Sequence, residues 1–462
     1  MLRKGLFIYL LSILSVLSLT GQDKTDIDIF ITGYGEGWCK LIGIYGDQNY
    51  IVDSFYMNAS GRVRIQRDTL LHQGLYYILL PDYKNITFLT DAHQKFQIKT
   101  QKDALVGGLE SKNSLCNQLY YENLIIQHKI DSLQNNLING GIHDVAANQQ
   151  LNLLVEKRTN QLEQCIKKYP DNFFTIFKKA GQNPAFKEIK KPDGSIDTFS
   201  QLQHYRSAFW DNMDFTDNRL LRTPVIANKL RRFIKELTPQ QPDSIIVQAD
   251  FIIKKSKASQ DMFGFIANWI ALQYQPTKTA VMDGEAVFVH IIDTYFDEKN
   301  ADWFKPGELE KLKKKTSEMR ASLLNRKGPN VVSTDPEGNK KSIYEIKTPY
   351  IVVYMYTPNC EHCKAETPKL RKFYDEWKSK GVEVFAIVIE TTYNDWKNYI
   401  TSNNMGEWIN VFDPTNASIY AKYYVDVTPE IYVLNPERII IGKNLRTEQI
   451  PVIIQKDMKK RN

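Results

Sequence analysis

The segment TPNCEHCKAETPKL, residues 357–370, holds the side chains best suited to chemistry. Cys360 and Cys363 stand two residues apart, and Glu366 and Pro368 follow at fixed offsets. Two thiols so spaced can close a disulfide with little strain, contribute to a metal clamp, or be incidental. The thiolate is the reactive form, and a free thiol with a pKa of about 8.5 is mostly protonated at neutral pH. Flanking residues decide how the pair behaves. Residues 351–356 are a continuous apolar run, as in a strand buried on both faces. A helical stretch follows over 363–380. The unpaired amides at a helix start carry roughly half a positive charge, which favours Cys360 as thiolate. Cys360 is therefore the candidate nucleophile, and Cys363 the thiol that resolves the mixed disulfide from within the chain. His362 adds positive charge or a hydrogen bond. Glu366 lies on the helical face of Cys363 and can exchange a proton when Cys363 acts; the alternative is a solvated helix glutamate. A structural zinc site needs four ligands, and neither a second CxxC nor an HxxxH is present. No metal and no cofactor is expected.

Compartment decides how cysteines read. The chain opens MLRKGLFIYLLSILSVLSLTGQ. Arg3 and Lys4 precede an apolar run over 6–19, and 20–22 turns small and polar, the layout of a secretory signal peptide over residues 1–21. The run is shorter than the about 20 residues a spanning helix needs, with an uncleaved anchor as the alternative. Export to the periplasm is the expectation, where disulfides persist. Five cysteines in 462 residues are too few for a disulfide-stapled scaffold. The length supports two to four domains with hydrophobic cores. A formal net charge of +7 is mild for this size, and nucleic-acid binding is not expected.

Three regions must position the pair. Over 27–100, Ile27, Ile29 and Ile31 alternate with Asp28 and Phe30, and short strands separated by turns predict a β-sandwich. Trp38, beside Cys39, reads as core. Over 101–325 the apolar spacing becomes helical, with Leu119, Ile126, Ile130, Leu133 and Leu137 on one stripe. Cys165 reads as a buried apolar residue, and His290 as a packing or capping residue. Over 326–462, strand, helix, strand, helix, then a hairpin and a last helix predict an α/β sandwich on a mixed sheet.

This last order resembles a thioredoxin fold. The CxxC lies between strand and helix, Pro368 sits where that family's first helix carries a kinking proline, and Thr428-Pro429 matches its cis-proline loop. The pattern CxxCxxExP resembles the TlpA/ResA type of exported reductase. The two front regions resemble domains of uncharacterised function that precede such modules in Gram-negative thiol:disulfide interchange proteins. The resemblance implies that Cys360 and Cys363 form a redox-active disulfide, with His362, Thr428 and Pro429 tuning it. It also implies a cis peptide at Thr428-Pro429 that leaves the Thr428 backbone free to pair with a bound peptide. Thioredoxin's acid, six positions before the first cysteine, is replaced here by Tyr354, which leaves Glu366 as its substitute. His362 occurs in oxidising relatives, so the couple is expected between about −270 and −120 mV, nearer the reducing end. The implied partners are disulfide-bearing exported proteins and a membrane electron donor or acceptor thiol protein. Two rivals remain. The front regions could capture an envelope ligand, with the redox module auxiliary. Alternatively, Thr357 and Cys360 fit the TxxC of a peroxiredoxin, although Val353 stands where that loop wants proline.

Overall fold

A computed structural model describes residues 24–140, 145–276, 278–413, 415, 422–425 and 427–461. The leader over 1–21 and most of the helix expected over 416–423 lie outside the described residues.

The chain is multi-domain. Its first part has eight strands: β1 (Thr25–Thr32), β2 (Gly37–Tyr45), β3 (Gln48–Met57), β4 (Arg62–Arg67), β5 (Gly74–Leu79), β6 (Asn85–Thr90), β7 (Lys95–Gln101) and β8 (Glu110–Lys112). They form two four-stranded sheets, ordered β4-β1-β7-β8 and β3-β2-β5-β6. The inward residues alternate as a pleated strand requires. Ile27, Ile29 and Ile31 are fully buried, and Phe88 of one sheet meets Phe96 of the other edge-to-face at 6.2 Å.

Trp38 departs from its expected place. It is 66% exposed and stacks edge-to-face on Tyr56 at 5.6 Å, whereas Cys39 is buried. The reason is the two-residue period of β2: adjacent residues face opposite sides, and the thiol takes the inner one.

Helices α1 (Leu115–Gly140), α2 (Val145–Lys168) and α3 (Phe173–Ala180) come next, then α4 (Thr198–Ala208), α5 (Val225–Arg231), α6 (Pro242–Ser256), α7 (Gln260–Gln273), α8 (Glu285–Tyr295) and α9 (Glu308–Arg320). This stretch does not form one compact body. Residues up to Gln182, with 219–226, make one unit, and the remainder belongs with the C-terminal module. In the first unit, Asn117 of α1 exchanges two 2.8 Å hydrogen bonds with the backbone of Leu89 on β6. That pairing ties α1 to the sheets. Cys116 and Cys165 are buried free thiols. In the second unit, His290 Nε2 bonds Asp250 at 2.7 Å, and Tyr295 donates to the same carboxylate. His290 is thus a packing residue within the helices.

The C-terminal module contains β9 (Val332–Thr334), β10 (Lys340–Ser342), β11 (Tyr350–Tyr356), α10 (Glu361–Trp377), β12 (Val382–Val388), α11 (Tyr393–Ser402), β13 (Ile409–Phe412), β14 (Glu430–Leu434), β15 (Ile440–Gly442) and α12 (Ile450–Arg461). The sheet order is β10-β9-β13-β12-β11-β14-β15. Strands β11, β12 and β13 are parallel, while β14 is antiparallel to β11. All seven residues of β11 are buried, as its unbroken apolar run predicts. Val352, Tyr354 and Tyr356 face Leu370, Tyr374, Trp396 and Ile454 on one side. Ile351, Val353 and Met355 face Ile387, Tyr432 and Leu434 on the other. This two-faced core fixes the end of β11, from which the CxxC segment departs.

Candidate active site

Helix α10 begins at the cysteine pair because Cys360, reached by a short turn after β11, is extended and serves as N-cap, with φ −88° and ψ 123°. The Lys364 N–H then donates to the Cys360 carbonyl at 3.1 Å, the first helical bond. Cys360 is half-buried and Cys363 fully buried, both as free thiols. Three residues along the helix turn Cys363 inward beneath Cys360.

Their environments push the two thiols apart. Partial burial opposes ionisation of Cys360. Hydrogen bonds from the Cys363 amide and thiol, from Thr428 and from the His362 amide outweigh it, and the thiol titrates below its ordinary value. Burial pushes the Cys363 thiol up to about 12, only partly offset by the Thr357 amide. One thiol is therefore prepared to attack, and its neighbour is held protonated.

The cis-proline loop completes the pair's surroundings. The Thr428-Pro429 peptide is cis, and Cys360 Sγ donates to the Thr428 carbonyl at 3.3 Å. His362 acts on Cys360 through its backbone amide, while its exposed side chain lines a cleft of about 440 Å³ together with Glu366 and Pro429.

Glu366 is largely occupied. One carboxylate oxygen accepts the Thr447 N–H at 2.7 Å, and the other accepts Lys369 Nζ at 3.2 Å. Burial raises its pKa, but these donors more than compensate and hold it below the usual value. It thereby caps the turn leading into α12.

The place of thioredoxin's acid is filled by hydroxyls. Tyr354 Oη lies 2.7 Å from Thr367 Oγ1, which lies 2.9 Å from Tyr399 Oη and donates to the Cys363 carbonyl at 2.8 Å. This buried network anchors the first turn of α10. Sequence reasoning missed Thr367, although its position four residues after Cys363 is where a helical hydroxyl reaches back to a carbonyl. Among the described residues, no cluster of three or more His, Cys, Asp or Glu side chains could hold a metal.

Comparison with known proteins finds relatives for the C-terminal module and for the helices before it. Residues 324–443 match the AhpC/TSA family, and residues 155–322 match a domain of unknown function, DUF5106. A thiol-disulfide oxidoreductase ResA of Bacillus cereus is 24% identical over 136 residues, covering 29% of this chain and 78% of that protein. ResA of Bacillus subtilis is 28% identical over 109 residues, covering 24% of this chain and 60% of that protein. A crystal structure described as "a domain of possible thiol-disulfide isomerase" from Cytophaga hutchinsonii is 32% identical, covers 30% of this chain and 95% of that one, and has a TM-score of 0.28. The C-terminal module is a thioredoxin-like domain of the thiol-disulfide oxidoreductase kind, and it follows a domain of unknown function.

Proposed function

We propose that this protein is an exported, periplasmic oxidoreductase that reduces disulfides of other exported proteins through the Cys360/Cys363 dithiol. The observation that carries the reading is the opposed tuning of the two thiols at the head of α10. Cys360 thiolate attacks a substrate disulfide, forming a mixed disulfide and releasing one substrate thiolate. Cys363 loses its proton and attacks Cys360 Sγ, closing the Cys360–Cys363 disulfide and releasing the second thiolate. Two electrons and the Cys363 proton pass to the substrate, and the second substrate thiolate takes its proton from solvent. A membrane electron-donor thiol protein returns the pair to the dithiol.

The decisive experiment titrates the purified chain against glutathione buffers and follows insulin reduction by the dithiol form. The expected potential lies between about −270 and −120 mV, nearer the lower value, with stoichiometric reduction of insulin. A potential at the oxidising end would reverse the direction. Consumption of hydrogen peroxide faster than of insulin would favour the peroxidase reading, for which Thr357 and Cys360 supply part of the motif.

We propose that Glu366, which lines the cleft beside the pair, accepts the proton that Cys363 loses. Glu366→Gln keeps an oxygen for the Thr447 N–H and removes the carboxylate that accepts the proton. Mixed disulfides should then persist longer, with resolution slowed by about 10²-fold, the low end for general acid–base help. Wild-type turnover of Glu366→Gln from about pH 6 to 9 would reduce Glu366 to its capping role.

A further inference from the structure

The helices before the redox module reach into its site. Three residues of that stretch, Pro276, Thr279 and Glu285, line the same cleft as His362, Glu366 and Pro429. A space of about 440 Å³ falls within the roughly 300–1,000 Å³ of ligand sites, far more than one disulfide occupies. Glu285 is buried at the start of α8, and its Oε1 accepts the Asn444 side-chain amide at 2.9 Å. The backbone N–H of Asn444 donates to Glu430 Oε1 at 3.0 Å. Glu430 directly follows Pro429 in the loop whose Thr428 carbonyl meets Cys360. Beside this chain, Lys443 Nζ stands 3.3 Å from Asp283 and 3.7 Å from Glu285, all nearly dry. Asp283 also accepts the Leu324 N–H at 2.9 Å. A buried charged group retained at such cost needs tight partners, and here the partners come from both sides of the junction.

We propose that Pro276, Thr279 and Glu285 are part of the redox site. Pro276, Thr279 and Glu285 wall the cleft that receives an extended, disulfide-bearing segment of a protein substrate, and Glu285 positions the Thr428-Pro429 loop through Asn444. This rests on the oxidoreductase reading above and adds a role for the domain of unknown function. Glu285 and Asn444 are positioning residues. A small disulfide needs only Cys360, whereas a polypeptide must also lie against the loop and the wall. Val427, 54% exposed, offers an apolar contact at the rim.

The test uses the full chain with two probes, insulin and oxidised glutathione. Glu285→Leu removes the acceptor, and Glu285→Gln keeps it. Asn444 has φ +53°, which glycine adopts without strain. Asn444→Gly therefore keeps the N–H to Glu430 and deletes only the side-chain donor, and this exposed position carries the test if Glu285→Leu does not fold. Glu285→Leu and Asn444→Gly should lower kcat/KM for insulin by roughly three- to thirtyfold. Glutathione disulfide should change less than about twofold, and Glu285→Gln should retain wild-type selectivity. Wild-type insulin turnover in both variants, or equal loss on both probes, overturns the proposal. Failure of the wild-type chain to exceed Cys360→Ala on either probe would instead overturn the oxidoreductase reading itself.

Discussion

Cys360→Ala is expected to abolish thiol–disulfide exchange, a loss of about 10³-fold or more, as removal of a catalytic nucleophile generally causes. It should trap no substrate. Cys363→Ala should behave oppositely: attack proceeds, resolution cannot, and mixed disulfides with Cys360 accumulate on non-reducing gels. The asymmetry follows from exposure. Cys360 is half-buried and sits at a helix start, whereas Cys363 is fully enclosed. Titration separates them as well. In the dithiol form, alkylation of Cys360 should rise through a pKa below the ordinary thiol value, because four hydrogen-bond sources hold its thiolate. Cys363 should resist alkylation until the pH approaches about 12. Mixed disulfides in Cys360→Ala but none in Cys363→Ala would reverse the roles.

The second large effect concerns stability. Lys443→Ala leaves Asp283 and Glu285 buried without their cation, and breaking such a pair from one side costs about 3–5 kcal/mol. Denaturant unfolding should show that loss at about pH 7.5. Burial already pushes the Asp283 carboxyl up to about 6, against the pull of Lys443 and the Leu324 amide. A carboxyl with a raised folded pKa contributes stability that is fully present below its unfolded value of 3.8 and is lost as pH rises through about 6. Removing Lys443 raises that pKa further, so Lys443→Ala should be less destabilising at about pH 5, where Asp283 takes up a proton. A loss below about 1 kcal/mol, the level of surface pairs, would show that the junction is solvated. An equal loss at both pH values would show that Asp283 does not titrate there.

The redox pair was legible because its chemistry is local. The apolar run that became β11, the CxxC, the helix of α10 and the Thr428-Pro429 loop are each short patterns governed by neighbouring residues. Their order along the chain specified a sheet with the pair at a strand-to-helix junction. The alternation in β1 was equally readable, since its pleat needs only the next residue.

Tertiary structure decided what depends on distant partners. The same pleat holds at Trp38, but only packing chose Cys39 for the inner face. The helical period over 101–325 could not say that α1 to α3 would join the sheets, because a stripe shows that a face is buried and not against what. Glu366 had the spacing for proton exchange, yet its carboxylate is held by Thr447, 81 positions away. Thr367 needed Tyr399 beside it, and Lys443 needed Asp283 and Glu285 from about 160 residues earlier. Hydrogen bonds and buried charges are satisfied by whatever the fold brings within about 3 Å, and sequence separation carries no record of that choice.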